Sequence, residues 1–253
     1  MIGTVLLGFV LLFALSAVFF DAKGSDCGSR ISAILAGLTA VGASAVLFAI
    51  ILSNDFSYSY VASYSSIDLP LIYKISAFWA GQQGSFLLWL LIHALVGTYM
   101  VCTNRLTATG RIIYHLLTAM LVILVFIKSP FTPAEHIMPD GYGMNPLLQD
   151  PWMAVHPPII FIGYALLAVP FVYSLESMMR SPADGGVLAP MRRWTLIAWS
   201  FLGAGIFIGG YWAYKVLGWG GYWGWDPVEN SSLVPWLLSC ILLHLIAVAR
   251  TRR

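Results

Sequence analysis

The chain has 253 residues, of which 59% are hydrophobic and 9% are charged, and its formal net charge at pH 7 is +2. Soluble globular domains carry charge on about a quarter of their residues, so this composition excludes one. It indicates an integral membrane protein, and the small net charge gives no reason to expect a nucleic-acid partner.

Seven apolar stretches approach the length of about 20 residues that a helix needs to cross a ~30 Å hydrocarbon core. They are Ile2–Phe20, Ile31–Leu52, Gly84–Cys102, Ile112–Ile127, Trp152–Leu175, Trp194–Leu217 and Leu233–Ala249. The first lacks a positively charged start and a small-residue cleavage site, so we expect it to be retained. The predicted fold class is an all-α integral membrane protein with about seven transmembrane helices, forming a single transmembrane domain over residues 1–253.

Lys and Arg are distributed unevenly among the connections between these stretches. Ten of them lie in connections one, three and five and at the C-terminus, namely Lys23, Arg30, Arg105, Arg111, Arg180, Arg192, Arg193, Arg250, Arg252 and Arg253. The other three connections hold Lys74, Lys128 and Lys215. Because positively charged loops stay in the cytoplasm, we expect a multi-pass protein of the plasma (inner) membrane with its N-terminus outside and its C-terminus cytoplasmic.

Cys27, Cys102 and Cys240 are too far apart for C-x-x-C spacing. The spacing excludes a c-type cytochrome, which needs C-x-x-C-H, and a dithiol redox protein. The sequence also lacks a P-loop motif for ATP hydrolysis.

Three connections on the predicted outer side are candidates for function. Residues 53–83 are rich in Ser and Tyr, with a short surface helix expected around Leu71 to Trp79. Residues 128–151 hold five prolines and two glycines and predict irregular structure. The third connection, residues 218–232, is rich in Trp and Gly, and we call it the aromatic loop.

The segment around the aromatic loop, from Tyr211 to Trp236, holds five of the ten tryptophans and three tyrosines. Glycines between aromatic rings let a large flat ligand such as heme lie against ring faces, although an interfacial aromatic belt is the alternative. Asp226, Pro227 and Glu229 predict a helix start with an N-cap Asp and a capping box. A helix capped in this way would hold the aromatic residues as a rigid shelf.

Five histidines are candidate ligands for heme iron. His115, near the inner end of its helix, and His136, in the proline-rich connection, are expected to be solvated or capping residues. His156 precedes two prolines, so its ring is expected to point out from a rigid turn near the aromatic loop. His93 and His244 fall near the middle of apolar spans, where a polar side chain normally marks a site or an interhelical hydrogen bond.

The string GWGGYWGWDPVENSSLVPWL resembles the tryptophan-rich (WWD) signature of heme-handling proteins of cytochrome c assembly. The stretches LPLIYKISAFWAGQQGSFLLW and NPLLQDPWMAVHPPIIFIGYA are similar to the cytochrome c maturation protein F (CcmF) branch, which includes its nitrite-reductase-associated relative. The resemblance runs from about Ser53 to His244. Gln83 departs from it, because many relatives have Glu there.

The resemblance implies heme as the cofactor and assigns roles to particular residues. The residues that would hold heme b in transit on the outer face are His156, Trp219, Trp223, Trp225, Asp226 and Trp236. His156 would be an axial ligand to that heme, and His244 would be a ligand to a b-type heme buried in the bundle. His93 lies outside the family pattern, so we expect it to be an ordinary satisfied residue of the helix interior.

Full-length members of this family are more than twice as long, and their second external and second intramembrane histidines follow the point that matches Arg253. We therefore expect a second membrane subunit to supply the missing ligands, and the alternative is that the chain binds heme through one histidine and some other donor. The resemblance implies a subunit of a cytochrome c heme lyase, not an autonomous enzyme, with a heme carrier protein, apocytochrome c and a membrane quinol as partners. Two alternatives are a heme or small-solute transporter and a quinol-oxidising b-heme electron-transfer subunit, which would pair His93 with His244.

Overall fold

The computed structural model describes residues 2–179, 185–218 and 220–251. Within that part of the chain the α-helices are α1 Ile2–Ala22, α2 Asp26–Leu52, α3 Ser59–Tyr64, α4 Leu71–Ser76, α5 Gln82–Cys102, α6 Ala108–Ile127, α7 Pro151–Met179, α8 Leu188–Val216 and α9 Pro227–Thr251. All except α3 and α4 are long and apolar enough to cross a membrane. The predicted all-α fold class and its seven spans are confirmed, and most helices run a few residues beyond the apolar stretches.

The chain divides into two compact units, Met1–Gln149 and Asp150–Arg253. In the first unit, α1 packs on α2 and α6, and α5 packs on the same two helices, so the four spans form a closed ring. A Cβ added to Gly97 of α5 would lie 2.5 Å from Cε1 of Tyr114 in α6, so these two helices meet too closely for a larger residue. A single transmembrane domain over residues 1–253 stays a prediction.

The two connections of the first unit that we predict on the outer side are joined by backbone hydrogen bonds. Ser59 N donates to Thr132 O at 3.0 Å and Tyr142 N donates to Ala62 O at 2.7 Å. The expected surface helix is present as α4, followed by a 3-10 turn over Ala77–Trp79.

The buried side chain of Tyr60 links α3 to the segment before α5 by hydrogen bonds. Its hydroxyl donates to Phe78 O at 3.0 Å and accepts a hydrogen bond from Gly81 N at 3.1 Å. The side chain is buried, and burial raises the pKa of Tyr60 above its ordinary value. Tyr60 therefore stays a neutral hydrogen-bonding group that ties α3 to the turn before α5.

The interior of the four-helix ring also holds titratable side chains. His115 is only 3% exposed, so the expectation of a solvated or capping residue is wrong. The physical reason is its place on α6, one turn after Arg111 and on the same buried face, since residues four apart share a helix face. His93 is buried as expected, but its Nε2 lacks a hydrogen-bond partner in the described parts of the chain.

In the second unit, α7 packs along α8, and α8 packs on α9. Glycine makes the first contact close: a Cβ on Gly163 would lie 2.7 Å from Leu202 Cγ, and one on Gly205 would lie 2.5 Å from Ile160 Cγ1. Small residues at helix contacts are typical of membrane proteins, in which close packing replaces the hydrophobic driving force of water. Gly205 and Gly209 lie on the side of α8 that contacts α7, and this glycine face of α8 positions the candidate site.

Candidate functional site

His156 lies in the second turn of α7, against glycines of α8. Its Nδ1 is 2.7 Å from the carbonyl oxygen of Gly205, and a Cβ on Gly209 would lie 2.5 Å from its Cε1. A carbonyl oxygen only accepts hydrogen bonds, so Nδ1 carries the proton and the lone pair of the neutral ring is on Nε2. His156 is thereby anchored through one ring nitrogen and has the other available for a metal ion.

The local structure at His156 differs from the rigid turn that the sequence predicted. α7 begins at Pro151, and Pro157 and Pro158 lie inside it. Each proline lacks an N–H, so the carbonyls of Met153 and Ala154 lose their usual helical donors, which transmembrane helices tolerate. The His156 imidazole therefore projects from the side of α7 and contacts α8.

Two contacts hold the ends of α7 and α8 together near His156. Lys215 Nζ lies 3.0 Å from Asp150 Oδ2, and Trp152 meets Tyr211 edge to face with ring centroids 5.0 Å apart. The ion pair is partly exposed, so it is worth at most about 1 kcal/mol, and the aromatic contact adds a similar amount. Together they fix the level at which His156 meets Gly205 and Gly209.

The backbone of the aromatic loop turns sharply and presents Trp225. Gly218 and Gly220 have φ values of 70° and 74°, and Trp225 has a φ of 58°, which is rare for a residue other than glycine. A left-handed residue of this kind costs about 1–3 kcal/mol and often marks a ligand site. The Trp225 side chain is 71% exposed and contacts Trp223 edge to face at 6.1 Å. Trp219, also predicted in this site, lies outside the described residues.

The predicted capping box is present at the start of α9. Glu229 N donates to Asp226 Oδ1 at 2.7 Å, and Glu229 Oε2 accepts from Gly224 N at 2.8 Å and from Asp226 N at 3.3 Å. These bonds satisfy backbone donors at the helix start and close the loop behind Trp225. Asp226 therefore shapes the loop, and a direct contact of Asp226 with a cofactor stays a prediction.

The aromatic loop passes beside the glycines that receive His156. A Cβ on Gly210 would lie 3.1 Å from the carbonyl oxygen of Tyr222, and the Tyr222 ring stacks on Tyr214 at 4.4 Å with an interplanar angle of 8°. Gly210 follows Gly209, which contacts His156. The structure thus brings His156 and the aromatic loop to the same end of α8.

Trp236 lies apart from Trp223 and Trp225, inside α9. Its ring stacks on Trp199 of α8 at 5.3 Å with an interplanar angle of 14°, next to Gly203. Sequence reasoning missed Trp199 and the glycine face of α8. The spacing of Gly205 and Gly209, a G-x-x-x-G pattern in an apolar helix, was the signal that could have found the glycine face.

His244 occupies a separate place. It follows Trp236 by eight residues, about 12 Å along α9 at 1.5 Å per residue. Its Nδ1 lies 2.8 Å from Cys240 O, so its lone pair is also on Nε2, and the side chain is exposed. His244 therefore does not join His156 in one site, and within the described chain it lies on the helix surface instead of inside a bundle.

Among the described residues, neither histidine is part of a cluster of metal-binding side chains. The described ranges contain no group of three or more His, Cys, Asp or Glu residues that could hold one. Each histidine offers one ligand, which suits heme because the porphyrin supplies four nitrogens and the protein supplies the axial positions. The two anchored imidazoles and the exposed aromatic loop therefore fit heme.

Comparison with known proteins gives the same result as the motifs. The sequence profile of the family described as "Cytochrome C assembly protein" matches residues 79–253. The chain belongs to the cytochrome c assembly protein family. The match includes His156, the aromatic loop and His244, and it confirms the family that the sequence motifs predicted.

Relatives within the cytochrome c assembly family are similar over most of this chain. The "Cytochrome c-type biogenesis protein ccl1" of Rhodobacter capsulatus is 40% identical over 222 residues, covering 85% of this chain and 34% of the relative. CcmF of Escherichia coli is 37% identical over 257 residues, covering 97% of this chain and 40% of the relative. These similarities place the chain in the CcmF branch of the family, as its motifs predicted.

A solved structure described as "Cytochrome c Heme Lyase CcmF" has a TM-score of 0.84 and 31% identity, covering 99% of this chain and 42% of that one. The chain thus spans less than half the length of each of these relatives. The seven apolar helices found among the described residues, together with bacterial relatives of this kind, indicate a multi-pass protein of the inner membrane.

Proposed function

We propose that this chain works in cytochrome c assembly as a subunit of a heme lyase: it binds heme at the outer membrane face and presents it to apocytochrome c. The observation that carries the proposal is the anchoring of both predicted ligands. His156 and His244 each donate Nδ1–H to a backbone carbonyl, at 2.7 Å and 2.8 Å, which leaves Nε2 for iron. A hydrogen bond of this kind fixes the tautomer and orientation of metal-ligating histidines.

At the outer site, His156 binds the iron of the substrate heme while the aromatic loop supports the porphyrin. Trp225 offers an exposed ring for this contact, with Trp223 against its edge and Trp219 proposed beside them. Each cysteine S–H of apocytochrome c then adds across a heme vinyl group. Sulfur bonds to one carbon and hydrogen to the other, with no net electron transfer. The chain contributes orientation, which can supply several kcal/mol of the barrier.

At the deeper site, His244 and its surroundings fit a b-type heme shared with other protein. His244 is exposed among the exposed apolar residues Ile241, Leu245 and Val248. An imidazole facing hydrocarbon is expensive, which supports the proposal that heme and protein cover this face of α9. A b-type heme bound there would supply one-electron transfer from a membrane quinol, which keeps the iron of the substrate heme ferrous.

We propose that the second axial ligand at each site comes from protein outside residues 1–253. His93 cannot serve, because it is 2% exposed and stacked on Tyr114 at 4.3 Å, which leaves no space for a porphyrin. This packing argues against an electron-transfer subunit that pairs His93 with His244. A heme carrier protein would deliver the substrate heme. The proposed orientation of this chain has its N-terminus outside and its C-terminus in the cytoplasm.

A maturation assay tests the proposal. In cells that depend on this chain for cytochrome c assembly, His156→Ala is expected to abolish covalent heme attachment to a reporter cytochrome. His136→Ala is the matched control, since His136 is an exposed histidine in another predicted outer connection. Normal attachment in the His156→Ala cells would refute the proposed role of the outer site.

A further inference from the structure

A row of buried titratable groups runs through the four-helix ring of the first unit, and heme binding does not use it. At one end Arg111 Nε lies 2.7 Å from Asp21 Oδ1. His115 lies one helix turn after Arg111 on the buried face of α6. Tyr114 lies beside both histidines, stacking on His93 at 4.3 Å and meeting His115 edge to face at 6.4 Å.

The row leads from one end of the ring to its middle. Asp21 is one residue from the end of α1, at the end of the ring that we predict to be cytoplasmic. His115 lies about 10 Å into α6 from Ala108, and His93 lies about 14 Å into α5 from Cys102, at 1.5 Å per residue. The three groups therefore lie at increasing depth.

Asp21, His115 and His93 each have a polar atom without a hydrogen-bond partner among the described residues. Within the described residues, Asp21 Oδ2, His115 Nε2 and His93 Nε2 are buried and make no hydrogen bond, although these residues are only 4%, 3% and 2% exposed. A buried polar atom without a partner costs about 1–3 kcal/mol, and bound water is the usual remedy. Three such atoms in one row call for a string of waters.

We propose that Asp21, His115 and His93 form a water-linked proton path from the predicted cytoplasmic end of the first unit to the middle of the membrane. Arg111 holds Asp21 through Oδ1, which leaves Oδ2 unpaired near the buried hydroxyl of Ser29. Tyr114 holds His93 by stacking and by donating its hydroxyl hydrogen to His93 O at 2.9 Å. Asp26, also bound by Arg111, has a side chain that is 81% exposed and lies outside the path.

One proton moves along the path from His93 to Asp21, and no bond other than those to this proton changes. A proton binds the Nε2 lone pair of His93, passes through water to His115 Nε2 and then to Asp21 Oδ2, and leaves to the aqueous phase. Each group returns to its starting state, and no electron moves. Such a path serves a reaction that releases or takes up protons inside the membrane, such as oxidation of a hydroquinone to a quinone with loss of two electrons and two protons.

Hydrogen exchange of the imidazole rings tests the path in the heme-free full chain. With 15N-labelled histidine, NMR follows loss of the ring N–H signals of His93 and His115 in D2O. We expect these protons to exchange at rates approaching those of the exposed His136 ring, and not on the timescale of the backbone amides of Leu87 and Leu90, which are buried in the same helix as His93. Rings that retain their protons as long as those amides would overturn the proposal.

Two carboxylate variants provide a matched comparison. Asp21→Asn keeps an oxygen for Arg111 but has no carboxylate to take up a proton. Ring exchange of both histidines should slow by roughly tenfold, the factor expected when the water beside residue 21 loses one hydrogen bond to the carboxylate. Asp26→Asn removes the other carboxylate from the same guanidinium and should leave exchange unchanged. Equal exchange in the two variants would overturn the path.

A second substitution covers the case in which Asp21→Asn does not fold. His115→Phe keeps a ring of similar size and interrupts the row between Asp21 and His93. Exchange at His93 should then slow, while exchange at the exposed His136 stays as in the unsubstituted chain. Unchanged exchange at His93 would overturn the path. Because no heme is present, the result is independent of the proposed heme sites.

Discussion

Gly209 of α8 gives His156 of α7 the space that it occupies. A Cβ on Gly209 would lie 2.5 Å from His156 Cε1, well inside normal contact distance, while Gly205 O binds Nδ1 of the same ring from 2.7 Å. The ring is therefore held both by a hydrogen bond and by the absence of a side chain. This relationship makes a glycine with no chemistry of its own a determinant of the outer site.

Gly209→Ala should displace the His156 ring from Gly205 and lower covalent heme attachment to a reporter cytochrome by about tenfold, the factor for loss of one hydrogen bond. Gly8→Ala in α1 is the control, because a Cβ there meets nothing within 4 Å. The control should be neutral or stabilising by up to about 1 kcal/mol. Equal attachment in the two variants would show that the packing of Gly209 against His156 has no functional weight.

Glu229→Ala should loosen the aromatic loop. The substitution removes the acceptor for Gly224 N and Asp226 N, and losing such a cap costs about 0.5–2 kcal/mol. Limited proteolysis should cut residues 218–226 faster, and the emission of exposed Trp225 should shift. Ser231→Ala, which removes only a bond to Val228 O within the same helix turn, should change neither measurement. Identical cleavage of both variants would contradict the role of the capping box.

Tyr60→Phe should destabilise the first unit by about 1–3 kcal/mol at neutral pH, because Gly81 N and its neighbours lose a buried partner. Burial raises the pKa of Tyr60 above its ordinary value of 10.0, so above that pH the unfolded chain loses this proton while the folded chain keeps it. Stability from Tyr60 is therefore fully present below pH 10 and falls as pH rises further. Chemical denaturation across this range should show a smaller alkaline loss in Tyr60→Phe. A loss equal to that of the unsubstituted chain would count against this assignment.

Cysteine labelling tests the orientation of the chain. Val228 is 75% exposed at the start of α9, and the native Cys27 is exposed in the first turn of α2. With Cys102 and Cys240 replaced by Ala, a maleimide that cannot cross the membrane should label Val228→Cys in intact cells and reach Cys27 only after permeabilisation. Labelling in the opposite order would reverse the topology and place the aromatic loop on the wrong side for apocytochrome c.

The spans and the cap of α9 could be predicted because their signals are local. Apolar length defines a transmembrane helix, and the Asp226 to Glu229 spacing defines a capping box. The surroundings of His115 and His156 could not be predicted in the same way. Their environments depend on which face of α6 is buried and on how α8 meets α7, and both are properties of helix packing.

Trp199 shows the same limit for aromatic residues. It lies in an apolar helix with no motif around it, and its role beside Trp236 depends on a contact between residues 37 positions apart. For His244, the position near the middle of an apolar span could be predicted, but the exposure of its side chain on α9 could not. Predicting that exposure requires knowing which helix faces the described chain leaves uncovered.

The absorption spectrum of the isolated chain reconstituted with heme tests the central claim most directly. We predict two separable species, each with iron bound by a single histidine and each converted to a six-coordinate form by added imidazole. His156→Ala should remove one species and His244→Ala the other, while His136→Ala removes neither. A single species lost in both variants, or complete bis-histidine ligation in the isolated chain, would contradict two half-sites completed by protein outside residues 1–253.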